Sequence, residues 1–423
     1  MSATTDRPPA GNFLLTSPTS CAAPAPAPAE PVRWVPLTIA AVLAVALSWY
    51  AWASYGGKFG ALVVIGLGLG FALFHSRFGF TSAWRQLIAV GNGAGLRAHT
   101  LLLGTAATLI ALIAGTGTGL FGSTPKFTAN PIGLALFVGA ALFAIGMQLG
   151  GACASGTLFA VGAGQSTIVL TLGGFVAGSV FYTWAYPIFT GWPQIPGLLL
   201  SDHAGWAGSW AITIAALLLV VVATRLVQKR RTPPPLDVVP TARGFARIYR
   251  GSWPLLAGGL VLAVLAALVV LVSGGTWGVT FAFALWGAKL LQLLGLHPET
   301  WEFWQTASNA KSLAGPVWTD KTSLTDLGIM IGAAVAAAAA GAWKIRAEIP
   351  WRTAVAAVLG GILMGIGARL SGGCNIGAYL AGISTGNLSG WLWGVFALAG
   401  TWAGLKLRPL FGLTNPRPGD GIC

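Results

Sequence analysis

Two stretches decide the fold: GAALFAIGMQLGGACASG, from Gly139 to Gly156, and GGILMGIGARLSGGCNIG, from Gly360 to Gly377. Each is apolar and glycine-rich, and each breaks at glycines just before a cysteine. A shift of 221 positions, from Cys153 to Cys374, sets them in register. Gly139 then meets Gly360, Leu142 meets Leu363, Ile145 meets Ile366, Gly146 meets Gly367, Leu149 meets Leu370, Gly151 meets Gly372 and Gly156 meets Gly377. Further on, Ala160 meets Ala381, and Gly173 and Phe175 meet Gly394 and Phe396. Generic apolar composition accounts for the Leu and Ala matches. It does not account for the two cysteines embedded in apolar sequence falling together. A second pairing sets Phe78-Gly-Phe-Thr81 against Trp277-Gly-Val-Thr280. The chain repeats internally.

Composition names the solvent. Of 423 residues, 55% are hydrophobic and 8% charged, where a soluble domain carries roughly 25% charged. Too few charges remain to solvate a globule of this size, so lipid must cover much of it. The 60 glycines and 19 tryptophans fit close helix approach and interfacial anchoring. A helix needs about 20 apolar residues to cross the hydrocarbon. That rule predicts spans near Val35–Ala53, Gly60–Phe74, Ala98–Gly115, Pro131–Leu149, Thr167–Phe189, Trp206–Val227, Pro254–Val272, Leu324–Trp343, Trp351–Leu370 and Leu388–Leu407. Four segments are too short or too glycine-broken to cross: Phe78–Ala89, Ala154–Gly164, Thr276–Gly295 and Asn375–Gly386. They read as re-entrant half-helices, since irregular backbone at membrane depth must line a cavity or be buried in protein; the alternative is short interfacial helices. The expected fold is an all-α polytopic membrane protein, an inverted internal repeat with about ten membrane-spanning helices plus four short re-entrant helices.

The organisation follows. Residues 1–33 are a disordered Ala/Pro-rich tail, with AAPAPAPAEP at 22–31 and no signal-peptide pattern. Residues 34–228 are a first membrane repeat, 229–250 a basic linker, 251–411 a second membrane repeat and 412–423 a short C-terminal tail. The net charge of +14 does not point to nucleic acid, because the Lys and Arg residues sit in inter-helix loops, where insertion selects them on the cytoplasmic side. Arg225, Lys229, Arg230, Arg231, Arg243, Arg247 and Arg250 stand in or beside the linker against one acid, Asp237. Placing this linker in the cytoplasm also puts Arg77, Arg85, Arg97, Lys344, Arg346, Arg352, Arg408 and Arg417 inside, with the C-terminus. The protein is then a multi-pass protein of the cytoplasmic (inner) membrane. Pro131–Leu149 runs inward and Trp351–Leu370 outward, so Cys153 is approached from the cytoplasm and Cys374 from outside, a common transporter plan. From Pro31 to Ser201 there is no Asp or Glu; an anion crossing this half meets no fixed negative charge.

The chemistry concentrates at Gly150-Gly151-Ala152-Cys153-Ala154-Ser155-Gly156 and Ser371-Gly372-Gly373-Cys374-Asn375-Ile376-Gly377. Glycines around a cysteine break the long helix and turn backbone N–H groups into a cavity. The half-helix that starts there presents about half a positive charge and free donors to an anion. The thiol adds a soft donor suited to a sulfur-bearing ligand. A buried cysteine is otherwise a small hydrophobe; the register match and the glycine setting favour the functional reading. Candidate binding residues are Cys153, Gly151 and Gly156, with Cys374, Gly372, Gly373, Asn375 and Gly377. Arg369 lies five residues before Cys374 in an apolar helix, functional by default unless it snorkels to the interface. Its counterpart is Gln148. His75, His99, His203 and His297 fall near loop ends and take no role. Cys21 and Cys423 lie outside the membrane core. No catalytic triad, paired carboxylates, phosphate loop or metal motif appears, and no cofactor is called for.

At these residues the sequence resembles the YeeE/YedE family of sulfur-compound transporters, whose best-understood members take up thiosulfate. The resembling stretches are Phe78–Arg85, Gly146–Gly156, Trp277–Thr280 with Leu285–Gly295, and Gly365–Gly377. The resemblance implies long helices in an hourglass around short re-entrant ones. It implies thiosulfate handed between cysteine thiols by S–H···S hydrogen bonds, and a cytoplasmic sulfur-carrier partner of the TusA type. Many relatives carry a third cysteine where this chain has Gly79. Either the relay is shorter here, or Thr81 or backbone N–H groups substitute, or the substrate differs; one branch of the family is associated with selenium metabolism. The function expected is import of a small sulfur oxyanion, thiosulfate first. The alternatives are a membrane sulfurtransferase holding a persulfide on the same cysteines, and a passive anion channel.

Overall fold

The computed structural model describes residues 30–233, 242, 244–345 and 348–417. The N-terminal tail to residue 29, Cys21, Cys423, Arg346 and much of the linker, with Asp237 and Arg243, lie outside the described residues.

The first half builds α1 (Trp34–Tyr55), α2 (Gly57–Ser76), α3 (Phe80–Val90), α4 (Ala94–Thr116), α5 (Leu134–Gly150), α6 (Ala154–Gly162), α7 (Ser166–Trp184), α8 (Tyr186–Thr190) and α9 (Leu200–Arg231). Then come α10 (Ala246–Arg250), α11 (Leu255–Ser273), α12 (Thr280–Leu293), α13 (Glu302–Gln305), α14 (Ala307–Ala314), α15 (Lys321–Ala339) and α16 (Trp351–Leu370). A π-helical turn, Asn375–Leu380, continues into α17 (Ala381–Ser384), and α18 (Leu388–Leu407) follows. One antiparallel pair, β1 (Ile132–Gly133) on β2 (Gln194–Ile195), ties the entry of α5 to the α8–α9 loop.

Ten helical stretches among the described residues are long and apolar enough to cross a membrane, and each falls on one of the expected spans. The chain is an all-α polytopic membrane protein. Of the ends that differ from expectation, two have a clear local cause. α7 stops at Trp184 rather than reaching Phe189, because Pro187, in the first turn of α8, cannot continue a helix. α15 starts at Lys321, before Leu324, because the Asp320 carboxylate caps it, accepting from Ser323 N at 2.7 Å. α1 is 11% buried over its most apolar window and α15 67%. α1 therefore faces lipid, with Trp34, Val45 and Trp49 exposed, and α15 lies in the core.

Packing pairs the halves. α2 lies on α15 as α11 lies on α4, α16 on α7 as α5 on α18, α3 on α18 as α12 on α7, and α6 on α15 as α17 on α4. Exchanging the two halves leaves these pairs unchanged. At the α5–α16 crossing the glycines of the repeat bring backbone against backbone. A Cβ on Gly146 would lie 2.5 Å from Gly360 O, and one on Gly367 2.5 Å from Phe143 N. Small residues are what permit such approach. The short helices sit where the four short segments were expected. Both ends of α3 lie beside residues flanking the linker: Gly251 O is 2.9 Å from His75 Nδ1 just before it, and Gly91 just after it abuts the Arg231 side chain.

Candidate functional site

In the first half, α5 ends at Gly151, whose φ of 83° is open to glycine at low cost. The chain turns out of the helix, and Cys153 caps α6 in an extended conformation, its carbonyl accepting Thr157 N at 2.7 Å. Cys153 is buried, with Sγ 3.6 Å from Ser155 Oγ. Gly156 and Phe80 lie beside that sulfur. A Cβ on Gly156 would stand 3.3 Å from it, so glycine keeps this flank open. Thr81, on the next residue of α3, is buried with its hydroxyl unpartnered.

The second half repeats the device with a wider turn. Gly372 and Gly373 take φ of 73° and 152°, and a Cβ on Gly373 would come within 2.8 Å of Ala378 N. Cys374 is buried and its sulfur accepts Ile376 N at 3.4 Å, with the Gly377 N–H also directed at it. Asn375 is 0% exposed and neither side-chain atom has a partner. Gly377 faces Gly278, the counterpart of Gly79 in the Trp277–Thr280 motif. Gly377, three residues after Cys374, thus meets the entry of the short helix α12 in its own half. Both cysteines belong to one buried core.

Arg369 does not snorkel. Its Nη2 donates to Thr280 Oγ1 at 2.6 Å, at the first residue of α12, and the guanidinium lies 6.0 Å from the Phe281 ring centroid. In the first half Gln148 stands in that register and a guanidinium arrives from elsewhere. Arg85 Nε on α3 donates to Gln148 Oε1 at 3.0 Å, Gln148 Nε2 donates to Thr81 O at 3.3 Å, and Arg408 Nη1 donates to the Gln148 carbonyl. Arg85 and Arg408 were not among the sequence candidates; the pairing of Gln148 with Arg369 was the signal that could have found them. His99 corrects an expectation. It is not at a loop end but 1% exposed within α4, accepting from Trp84 Nε1 at 3.3 Å and stacked 4.2 Å from Phe80. The α4 helix starts at Ala94, four residues earlier than the expected span, which carries His99 into the core.

One cavity opens on the second break, and another lies beyond the end of α6. The first, of about 280 Å³, is lined by Lys126, Asn130, Lys321, Gly372, Gly377 and Asn387, and Lys321 Nζ donates to Thr276 O at 2.8 Å. The other, of about 620 Å³, is lined by Phe74, Arg77, Phe159, Ser166 and Lys344. Ser166 and Asn387 are counterparts at the 221 shift, one in each cavity. Each carries two basic residues and, among the described lining residues, no acid. Between the breaks runs a chain of rings, Phe80, Tyr379, Trp393, Phe143, Phe175 and Phe283, with successive centroids 4.7 to 6.3 Å apart. Such a dry partition makes any polar donor beside it count for more.

Gly79 has room for a side chain. Its φ of −124° suits any residue, and a Cβ would meet only Ser82 Oγ at 3.1 Å and Arg77 O at 3.8 Å. Gly79→Cys should insert normally and take up substrate at no less than the parental rate, measured as uptake per membrane-inserted protein. Loss of insertion would contradict the open geometry.

The sulphur-transport family matches residues 75–403, from the end of α2 into α18. The chain is 27% identical over 354 residues to a thiosulfate transporter TsuA of Spirochaeta thermophila, covering 80% of this chain and 96% of that protein. It is 27% identical over 348 residues to the thiosulfate transporter TsuA of Escherichia coli, covering 80% and 92%. It is also 32% identical over 170 residues to the probable transporter YedE of Escherichia coli, spanning 38% of this chain and 41% of that protein. With both glycine-cysteine breaks, all four short helices and nine of the ten long ones wholly or partly inside the matched region, the chain belongs to the sulphur-transport, or YeeE/YedE, family of membrane transporters.

Proposed function

We propose that the protein imports thiosulfate across the cytoplasmic membrane, handing the dianion from Cys374 to Cys153. The observation that carries this is the pair of buried cysteines at matching glycine-rich helix breaks. The TsuA relatives support a sulfur anion as substrate. Lys126 and Lys321 draw the anion into the outer cavity. Cys374, Asn375 and the amides of the π turn replace part of its water, with Gly372, Gly373 and Gly377 leaving the approach clear. Cys153, Thr81 and the Gly156 amide take it next, with Gly151 shaping the break. Arg77 and Lys344 lie at the inner cavity, where a TusA-like carrier would collect the product. Arg369 and Arg85 supply positive potential beside the two breaks.

In this reading the halves cross the membrane in opposite senses, and the four short helices are re-entrant. Three observations support it: the exchange of packing partners between halves, the closeness of the residues before and after α3 to Gly251 and Arg231, and the excess of Arg and Lys in the loops this reading assigns to the linker side. The linker and the C-terminus then lie in the cytoplasm. A covalent sulfurtransferase has less support. The contacts at the sulfurs are a serine hydroxyl at Cys153 and a backbone amide at Cys374, and among the described residues none of these is a general base that would activate a thiolate.

Growth decides the substrate. A strain lacking other thiosulfate uptake should grow on thiosulfate as sole sulfur source once it expresses this protein. No growth, with the protein demonstrated in the membrane, would sink the claim.

A further inference from the structure

Asp326 is a buried carboxyl that the path described above does not use. Helical spacing on α15 puts Ser323, Asp326 and Met330 on one stripe. Ser323 Oγ accepts Trp286 Nε1 of α12 at 2.9 Å, and the Met330 carbonyl abuts Gly162 at the end of α6. Asp326 therefore sits between the contacts that α15 makes with two of the short helices. It is 0% exposed, and neither carboxyl oxygen has a hydrogen-bond partner.

Among the described residues, none is hydrogen-bonded or ion-paired to the Asp326 carboxyl. The acid that acts on Asp326 is Asp320, at the cap of the same helix. Of the elements against α15, α6 carries no ionisable side chain, and α1 carries only Tyr50 and Tyr55. Helix α2 brings Lys58 and His75 near its two ends, α12 brings Lys289, and α10 brings Arg247 and Arg250 on the linker side. Lys321, on the helix itself, donates to Thr276 O. An unpaired carboxylate at membrane depth is costly, and a negative charge there would repel a dianion arriving at Cys374. A proton on Asp326 removes both penalties.

We propose that Asp326 carries a proton inward with each sulfur dianion, making this chain a proton-coupled importer; this rests on the thiosulfate reading above. The proton comes from water in the outer cavity, stays on a carboxyl oxygen while the anion occupies the path, and leaves to cytoplasmic water after the anion. Only an O–H bond forms and breaks. With the cell interior negative, the membrane potential drives a dianion outward. One proton cancels half of that charge and adds the pull of the pH gradient.

The test uses the full chain in proteoliposomes, with radiolabelled thiosulfate outside and a pH-sensitive dye inside. The parental protein should acidify the lumen when thiosulfate is added, and an outside-acid gradient of one pH unit should raise initial uptake about tenfold. Asp326→Asn should lose the acidification, and its remaining uptake should ignore the gradient; Asp326→Glu should keep both responses. Thiosulfate uptake by the parent without acidification overturns the proposal and leaves the substrate reading standing. Acidification by Asp326→Asn at the parental rate overturns it as well. No thiosulfate uptake by the parent sinks the substrate reading and this proposal together.

Discussion

The double replacement Cys153→Ala with Cys374→Ala should abolish uptake while the protein still reaches the membrane. Alanine fits wherever cysteine fits, and the cavity left by each sulfur costs roughly 1 kcal/mol of stability. In the proposed relay, what disappears is the pair of soft donors that would replace water around a divalent anion. Removing one hydrogen bond to a charged group costs about 1.5–3 kcal/mol, roughly tenfold to more than a hundredfold in a rate or equilibrium. Two in series exceed what an uptake assay can follow. One complication is local: alanine at 374 also leaves the buried Ile376 N–H without its acceptor. Cys374→Ser separates the effects, since its oxygen restores an acceptor for that amide but not the polarisable sulfur. It should recover stability and stay defective in uptake. Cys21→Ala and Cys423→Ala serve as controls without effect. Labelled thiosulfate uptake, normalised to inserted protein, reads the result. A double variant that inserts and transports at the parental rate would show that the cysteines only fill space.

The largest structural effect is expected from Gly360→Val. A Cβ there would lie 2.3 Å from Gly150 N and 2.7 Å from Gly146 O. Both are backbone atoms, which cannot swing aside as a side chain would. Overpacking of this kind typically costs about 1–3 kcal/mol and occasionally more, and a valine adds two methyls beyond the clashing Cβ. α16 must then move off α5, and these are the two helices that end in the cysteine breaks. The variant should lose its monodisperse peak in detergent, or melt well below the parent. Gly173→Ala is the matched control, because a Cβ there meets nothing within 4 Å; it should melt with the parent. If Gly360→Val ran as a single species with parental melting, the close α5–α16 crossing would be wrong.

The ten spans were readable because insertion is governed by the summed transfer free energy of about 20 consecutive residues. That sum is local and needs no knowledge of neighbours. The positions of the cysteine breaks were readable for a similar reason: Gly151, Gly372 and Gly373 take left-handed or extreme backbone angles, and glycine records that requirement in the sequence itself. The early start of α15 was missed because Asp320 was not weighed as a cap. His99 looked peripheral by position alone, and it became central once α4 brought it under Phe80 and Trp84.

By itself, then, the sequence determined an all-α chain in lipid, its ten long helices, and two glycine-cysteine breaks in register, since apolar run length and glycine placement are properties of adjacent residues. Only the tertiary structure decided which groups surround those breaks. Arg85 reaches Gln148 across 63 positions and Arg369 reaches Thr280 across 89, and Asp326 is left with neither carboxyl oxygen bonded. Those outcomes depend on which helix faces which, and therefore on packing between segments far apart in the chain.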